Sequence, residues 1–245
     1  MLLPTESAPP ALVIFLGALV TPTVIVGFDL LRSVWLTYIS LYYLWVVAPA
    51  AVCWHWTGSR RRVEAGVRRG MKRVKLQAAL ALLALPLLVG GSLLLYHLFG
   101  NLVGFDVATV RPALETYGLT AENPAGDLGA LTWLTFLNPI MEEMFWRIFL
   151  FESLRQPDAS TAWWRWWAPA VTTSVLYASY HVPVVILILP LPLVILAYVF
   201  LIGLGLQLQL IVERFGLVLS VGVHLAADLT ASLIVCDVLW EWGIG

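Results

Sequence analysis

Seven polar side chains that could split water or hold an ion fall in three short clusters inside apolar sequence. "NPIMEEMFWRIFLFESL", residues 138–154, is mostly apolar and has apolar neighbours on both sides, yet it carries Glu142, Glu143 and Arg147. "YASYH" supplies Tyr177 and His181, and "HLAAD" supplies His224 and Asp228. Glu143 and Arg147 are four residues apart, as are Tyr177 and His181, and His224 and Asp228. On a helix that spacing puts each pair on one face, one turn apart. Glu and His can both take a proton from water. A second His with an acidic or amide partner can support an oxyanion. Two His and a Glu can instead form a divalent metal shell, zinc above all, with a position open for water. The pattern EExxxR is not the metalloprotease HExxH, and no single helix offers two His, so a metal site would need three helices.

The elements that must position these residues are membrane helices. Hydrophobic residues make up 60% of the 245 and charged residues 12%, against about half and a quarter in soluble domains. Apolar runs long enough to cross a bilayer recur along the whole chain. The short alternating strands of a membrane barrel are missing. The expected fold is therefore all-α, a polytopic bundle of about seven spans: 11–31, 33–54, 76–99, 129–154, 168–189, 192–213 and 216–240. Eight of the fourteen basic residues lie between Arg60 and Lys75. Excess Lys and Arg mark a cytoplasmic loop, and a nucleic-acid role is excluded because the segment lies between two spans. That orientation puts the acidic loop 100–128 outside, Arg155, Arg165 and Arg214 inside, and the C-terminus outside.

Other features read as membrane architecture. "WWRWW", Trp163 to Trp167, is an interfacial belt. Pro86, Gly90 and Gly91 predict a kink or a close helix contact in the third span. Pro183, Pro190 and Pro192 predict breaks around the sixth. Asp29 and Arg32 read as a local ion pair, and His55 and His97 as interfacial. Cys53 and Cys236 lack metal-type spacing. The N-terminus has no basic stretch of the signal-peptide kind, so the first span is expected to be retained. No repeat or linker divides the chain, and residues 1–245 form one membrane domain.

Ionisable groups at membrane depth mark functional sites. On straight helices rising ~1.5 Å per residue, His181 lies roughly 10 Å from the outer surface and His224 about 12 Å from the inner one. The two histidines are thus offset in depth unless tilt or helix breaks close the gap.

The ordered set Glu142-Glu143-x-x-x-Arg147, Tyr177-x-x-x-His181 and His224-x-x-x-Asp228 resembles the motifs of the CPBP family of intramembrane proteases. That family includes the CAAX prenyl endoproteases and the bacteriocin-processing (ABI) proteins. The resemblance covers residues 129–240, which it implies to be a catalytic core. It implies an intramembrane endopeptidase in which Glu142 is the general base and His181 helps bind the water. His224 and Asp228 would support the oxyanion, and Glu143 and Arg147 would form a supporting ion pair. It also implies a glutamate-type reaction with no cofactor, a divalent metal such as zinc being the alternative. Two positions depart from the pattern. Tyr177 stands where Phe is commoner, and Asp228 where the prenyl endoproteases have Asn. An ionised Asp only accepts hydrogen bonds, so Asp228 would have to be protonated or orient His224 through a ring N–H.

The expected partners are the lipid bilayer and a peptide or protein substrate at the membrane, a lipidated or membrane-anchored peptide being one candidate. The expected location is a prokaryotic cell membrane, crossed several times. The oligomeric state is not legible. Two alternatives stand beside the peptidase: a proton-coupled transporter, since Glu, His and Asp also build proton relays, and a non-catalytic membrane scaffold. Against transport, no inverted repeat is visible.

Overall fold

A computed structural model of the chain describes residues 6–99, 107–155 and 164–241. The expected all-helical fold is found: the described residues form nine helices and no strand. These are α1 (Pro10–Leu30), α2 (Val34–His55), α3 (Thr57–Gly70), α4 (Val74–Phe99), α5 (Val107–Thr116), α6 (residues 124–154), α7 (Trp164–Ile188), α8 (Leu191–Arg214) and α9 (Leu217–Trp240). Five of them, α1, α2, α4, α8 and α9, are long and apolar enough to cross a membrane. The other two expected spans are α6 and α7, the helices that carry Glu142, Glu143, Arg147 and His181. The polar residues that mark them also lower their hydropathy.

Large apolar side chains cover the outside of the bundle. Leu82, Leu83 and Leu87 of α4 and Ile195, Leu196 and Phe200 of α8 are all more than half exposed. Water would penalise such a surface, whereas lipid tails match it. The protein is an integral, multi-pass membrane protein.

The chain ends and turns collect at two ends of the bundle. At one end α3 lies across the helix termini. Arg62 donates to the carbonyls of Ser153 (3.2 Å) and Arg155 (3.1 Å) and to the Ser7 hydroxyl. Arg69 pairs with Glu152, and Arg155 with Glu213 at 3.1 Å. The basic segment, Arg155 and the end of α8 thus share one side, as the charge pattern groups them. At the opposite end Arg111 donates to the Val238 carbonyl (2.6 Å), a cation closing the C-terminus of α9. There too Tyr117 donates to the Pro183 carbonyl (3.2 Å). The expected acidic loop 100–128 is therefore largely built: it holds α5 and the first turn of α6, which starts at Pro124. Asp106 lies outside the described residues, as does the 156–163 connection with Trp163. Of the tryptophan belt, Trp164 and Trp167 are exposed, and Trp166 packs on Phe151.

Several local expectations are corrected. Gly90 and Gly91 face open space, and the close contact of α4 is Ala81 against Gly222 of α9. Pro183 does not break its helix, since α7 runs through it to Ile188. Asp29 and Arg32 are not in ion-pairing range. Arg32 instead takes a left-handed turn conformation (φ 49°) between α1 and α2.

Wide π-turns interrupt α2 at Tyr43–Val47 and α6 at Trp133–Leu137, each ending two residues before a proline, Pro49 and Pro139. A proline has no N–H and its ring collides with the carbonyl four residues earlier. A π-turn widens the helix at that carbonyl and lets it continue. A second π segment, Glu143–Leu150, carries Arg147.

Gly216 fixes the start of α9. Its φ of 115° and ψ of 171° suit glycine alone. A Cβ there would also strike the amide of Gln77, which donates to the Gly70 carbonyl (2.9 Å) and accepts from the Val218 N–H (2.8 Å). Gly216→Ala should lower stability by about 1–3 kcal/mol, measured as a fall in thermal midpoint in detergent.

Candidate active site

Glu142 and Glu143 are adjacent, so on a helix they point about 100° apart. Each is fully buried, and each has a different set of neighbours.

Glu143 is saturated. One oxygen accepts from the Ser220 hydroxyl at 2.6 Å. The other faces His224 Nδ1 at 3.0 Å and Arg147 Nε at 3.6 Å. The Arg147 guanidinium makes no hydrogen bond among the described residues. It is held by the ion pair and by the Tyr177 ring, whose centroid lies 4.5 Å from Cζ. A desolvated cation–π contact contributes about 2 kcal/mol. Glu143 and Arg147 thus stand where the sequence places a supporting ion pair.

Glu142 faces a cavity of about 270 Å³. Its Oε1 accepts from the Asn138 amide. Its Oε2 has no hydrogen-bond partner among the described residues, and His224 Nε2 lies 3.9 Å from it. Asn138, Tyr180, His181 and Asp228 line the same cavity. Its remaining wall is apolar and comes largely from elsewhere in the chain: Val24 and Phe28 of α1, Tyr38 and Trp45 of α2, and Leu114 of α5.

Both histidines pack against one ring: His181 lies 4.7 Å and His224 6.0 Å from Tyr177, centroid to centroid. Tyr177 sits one turn below His181 on α7. Its backbone carbonyl faces His181 Nδ1 at 2.8 Å. A carbonyl only accepts, so the proton is on Nδ1, and Nε2 is left as an acceptor.

Asp228 does not orient His224. Its Oδ1 lies 3.8 Å from His224 Nε2, beyond hydrogen-bond range, while its Oδ2 accepts from Asn138 at 3.4 Å. Among the described residues no three His, Cys, Asp or Glu side chains group so as to hold a metal ion. Both histidines engage Nδ1 and leave Nε2 free.

Three participants were not legible as such. Asn138, Tyr180 and Ser220 all touch the motif residues. Asn138 precedes Glu142 by four residues, and Ser220 precedes His224 by four. The same i, i+4 rule that paired the motif residues would have found both. Tyr180 stacks on Trp146 (centroids 5.7 Å, 6° between planes) and has no such signal.

Arg147→Ala would leave Glu143 short of a charge partner inside the bundle. Breaking a buried pair on one side costs about 3–5 kcal/mol, so this variant should melt far below wild type in detergent. Ser220→Ala removes one neutral donor and should lower the melting temperature by a smaller amount.

Comparison with known proteins agrees with this arrangement. Residues 124–230 match the family model described as type II CAAX prenyl endopeptidase Rce1-like. The match takes in all three motifs and ends two residues beyond Asp228. No curated protein and no solved structure matches the chain. Residues 124–230 are thus similar to the Rce1-like domain of the CPBP, or CAAX protease, family.

Proposed function

We propose that the protein is a metal-independent, glutamate-type intramembrane endopeptidase. The observation that carries this reading is the division between the two glutamates. Glu143 is saturated by Ser220, His224 and Arg147, whereas Glu142 has one oxygen anchored and the other unpartnered beside a cavity. The family match supports a CAAX-type endopeptidase in general terms.

The chemistry follows from the available atoms. A water takes about 30 Å³, so the cavity has room for water and an apolar group of a substrate. Glu142 Oε2 accepts one proton of that water, and His181 Nε2 accepts a hydrogen bond from the other. The water oxygen attacks the scissile carbonyl carbon, forming a tetrahedral oxyanion. Collapse breaks the C–N bond, and the proton on Glu142 passes to the leaving amine. His224, fixed at Nδ1 by Glu143, holds Nε2 nearest the Glu142 oxygen through which that proton travels. The apolar wall favours a substrate that presents a lipidated or hydrophobic segment beside the cleaved bond.

Glu142→Gln is expected to lower cleavage of a farnesylated peptide with a C-terminal tripeptide by about 10²–10⁴-fold. Its melting temperature should stay near wild type, because an amide can still meet Asn138. A Glu142→Gln protein that cleaves at the wild-type rate would remove the general-base assignment.

A further inference from the structure

The cavity holds two carboxylates, Glu142 and Asp228, and one side-chain amide serves both. Asn138 Nδ2 donates to Glu142 Oε1 and, at 3.4 Å, to Asp228 Oδ2. Asn138 is buried and lines the cavity with both acids. The remaining charged neighbours are placed differently. Arg147 faces Glu143 and Tyr177, and His224 Nε2 stands 3.9 Å from Glu142 and 3.8 Å from Asp228, outside hydrogen-bond range of either. The Tyr180 hydroxyl also neighbours Glu142, but among the described residues the Asn138 amide is the group whose hydrogen bonds reach both acids. An amide nitrogen carries two hydrogens in one plane, which suits it to this bridge.

We propose that Asn138 is a positioning residue of the hydrolytic site. Its amide fixes Glu142 Oε1, which leaves Oε2 as the oxygen that meets water, and it stands between Glu142 and the Asp228 charge. Asn138 acts through Glu142 and does not itself touch the reacting atoms. The proposal rests on the peptidase reading. It also explains how the third motif functions while ending in an acid: the amide comes from α6, across the cavity, and not from α9.

The test uses wild type, Asn138→Ala, Asp228→Asn and the combined variant, reconstituted in liposomes. Each is assayed on a farnesylated peptide with a C-terminal tripeptide, and each is melted in detergent. Asn138→Ala should lower kcat by at least about tenfold with little change in KM, the signature of an interaction that acts in the transition state. Adding Asp228→Asn should recover much of that loss, because the opposing charge is removed and an amide returns to the cavity from α9. Coupling of about twofold or more is the range for residues that share partners. A purely structural Asn138 would lower melting temperature and kcat together and gain nothing from the second substitution. That result overturns the proposal, as would a loss confined to KM. A wild-type protein that leaves the peptide uncut counts against the peptidase reading. The four melting temperatures then decide the bridge: rescue by Asp228→Asn supports it, and additive losses overturn it.

Discussion

Glu143 is fully buried, and the groups that meet it come from two helices: Arg147 from α6, Ser220 and His224 from α9. This cluster constrains the rest of the structure. A carboxylate in the hydrocarbon region has no water to turn to, so the protein must bring its partners to it. Doing so fixes α9 against α6 in register and in rotation. The Thr135–Ser232 hydrogen bond at 2.8 Å repeats the linkage farther along the same two helices. Once α6 and α9 are locked, the rotation of α6 is no longer free. Glu142, one residue earlier, must face the cavity. The saturated glutamate thus sets the direction of the unsaturated one.

Tyr177 extends that lock to a third helix. Its ring receives Arg147 on one side and stands edge-on to Trp146 and His224. Its backbone carbonyl orients His181. One residue therefore meets the cation of the first motif and the histidines of the other two. A tyrosine ring does this as well as a phenylalanine ring would, since both the π-face and the carbonyl contacts are independent of the hydroxyl. The aromatic departure at this position leaves the geometry intact.

How much of this was legible depends on the signal each feature leaves. The helical bundle and its long apolar spans were legible because apolar length and Lys/Arg placement are properties of composition. The three polar pairs were legible because i, i+4 spacing survives without coordinates. Asn138 was not singled out, although it lies four residues before Glu142 and its amide meets that carboxyl. The π-turns left no periodic signal: they follow from local conflicts, the proline rings of Pro49 and Pro139 against carbonyls one turn earlier. Rise per residue gives the position of a Cα, whereas His181 and His224 are linked through the Tyr177 ring, which that arithmetic omits. Gly90 and Gly91 misled because small residues permit a close approach without requiring one. The contact went to Gly222 and Ala81 instead.

The site also divides the chain by task. The carboxylate, amide and imidazole side chains that line the cavity all lie within residues 124–230, the portion that matches the protease family. Much of the apolar wall is built by α1, α2 and α5, which precede that portion. The two parts meet physical demands of different strictness. Proton transfer needs atoms placed to within a fraction of an ångström, which a buried hydrogen-bond network supplies. An apolar wall needs only volume and shape, and volume-conserving exchanges among apolar side chains disturb it little. Val24, Phe28, Tyr38, Trp45 and Leu114 are therefore the positions where a change of side chain would alter what fits beside Glu142 without moving Glu142 itself. Tyr38 is held further, since its ring stacks on Trp133 at 6.3 Å and so ties the wall to the helix that carries the glutamates.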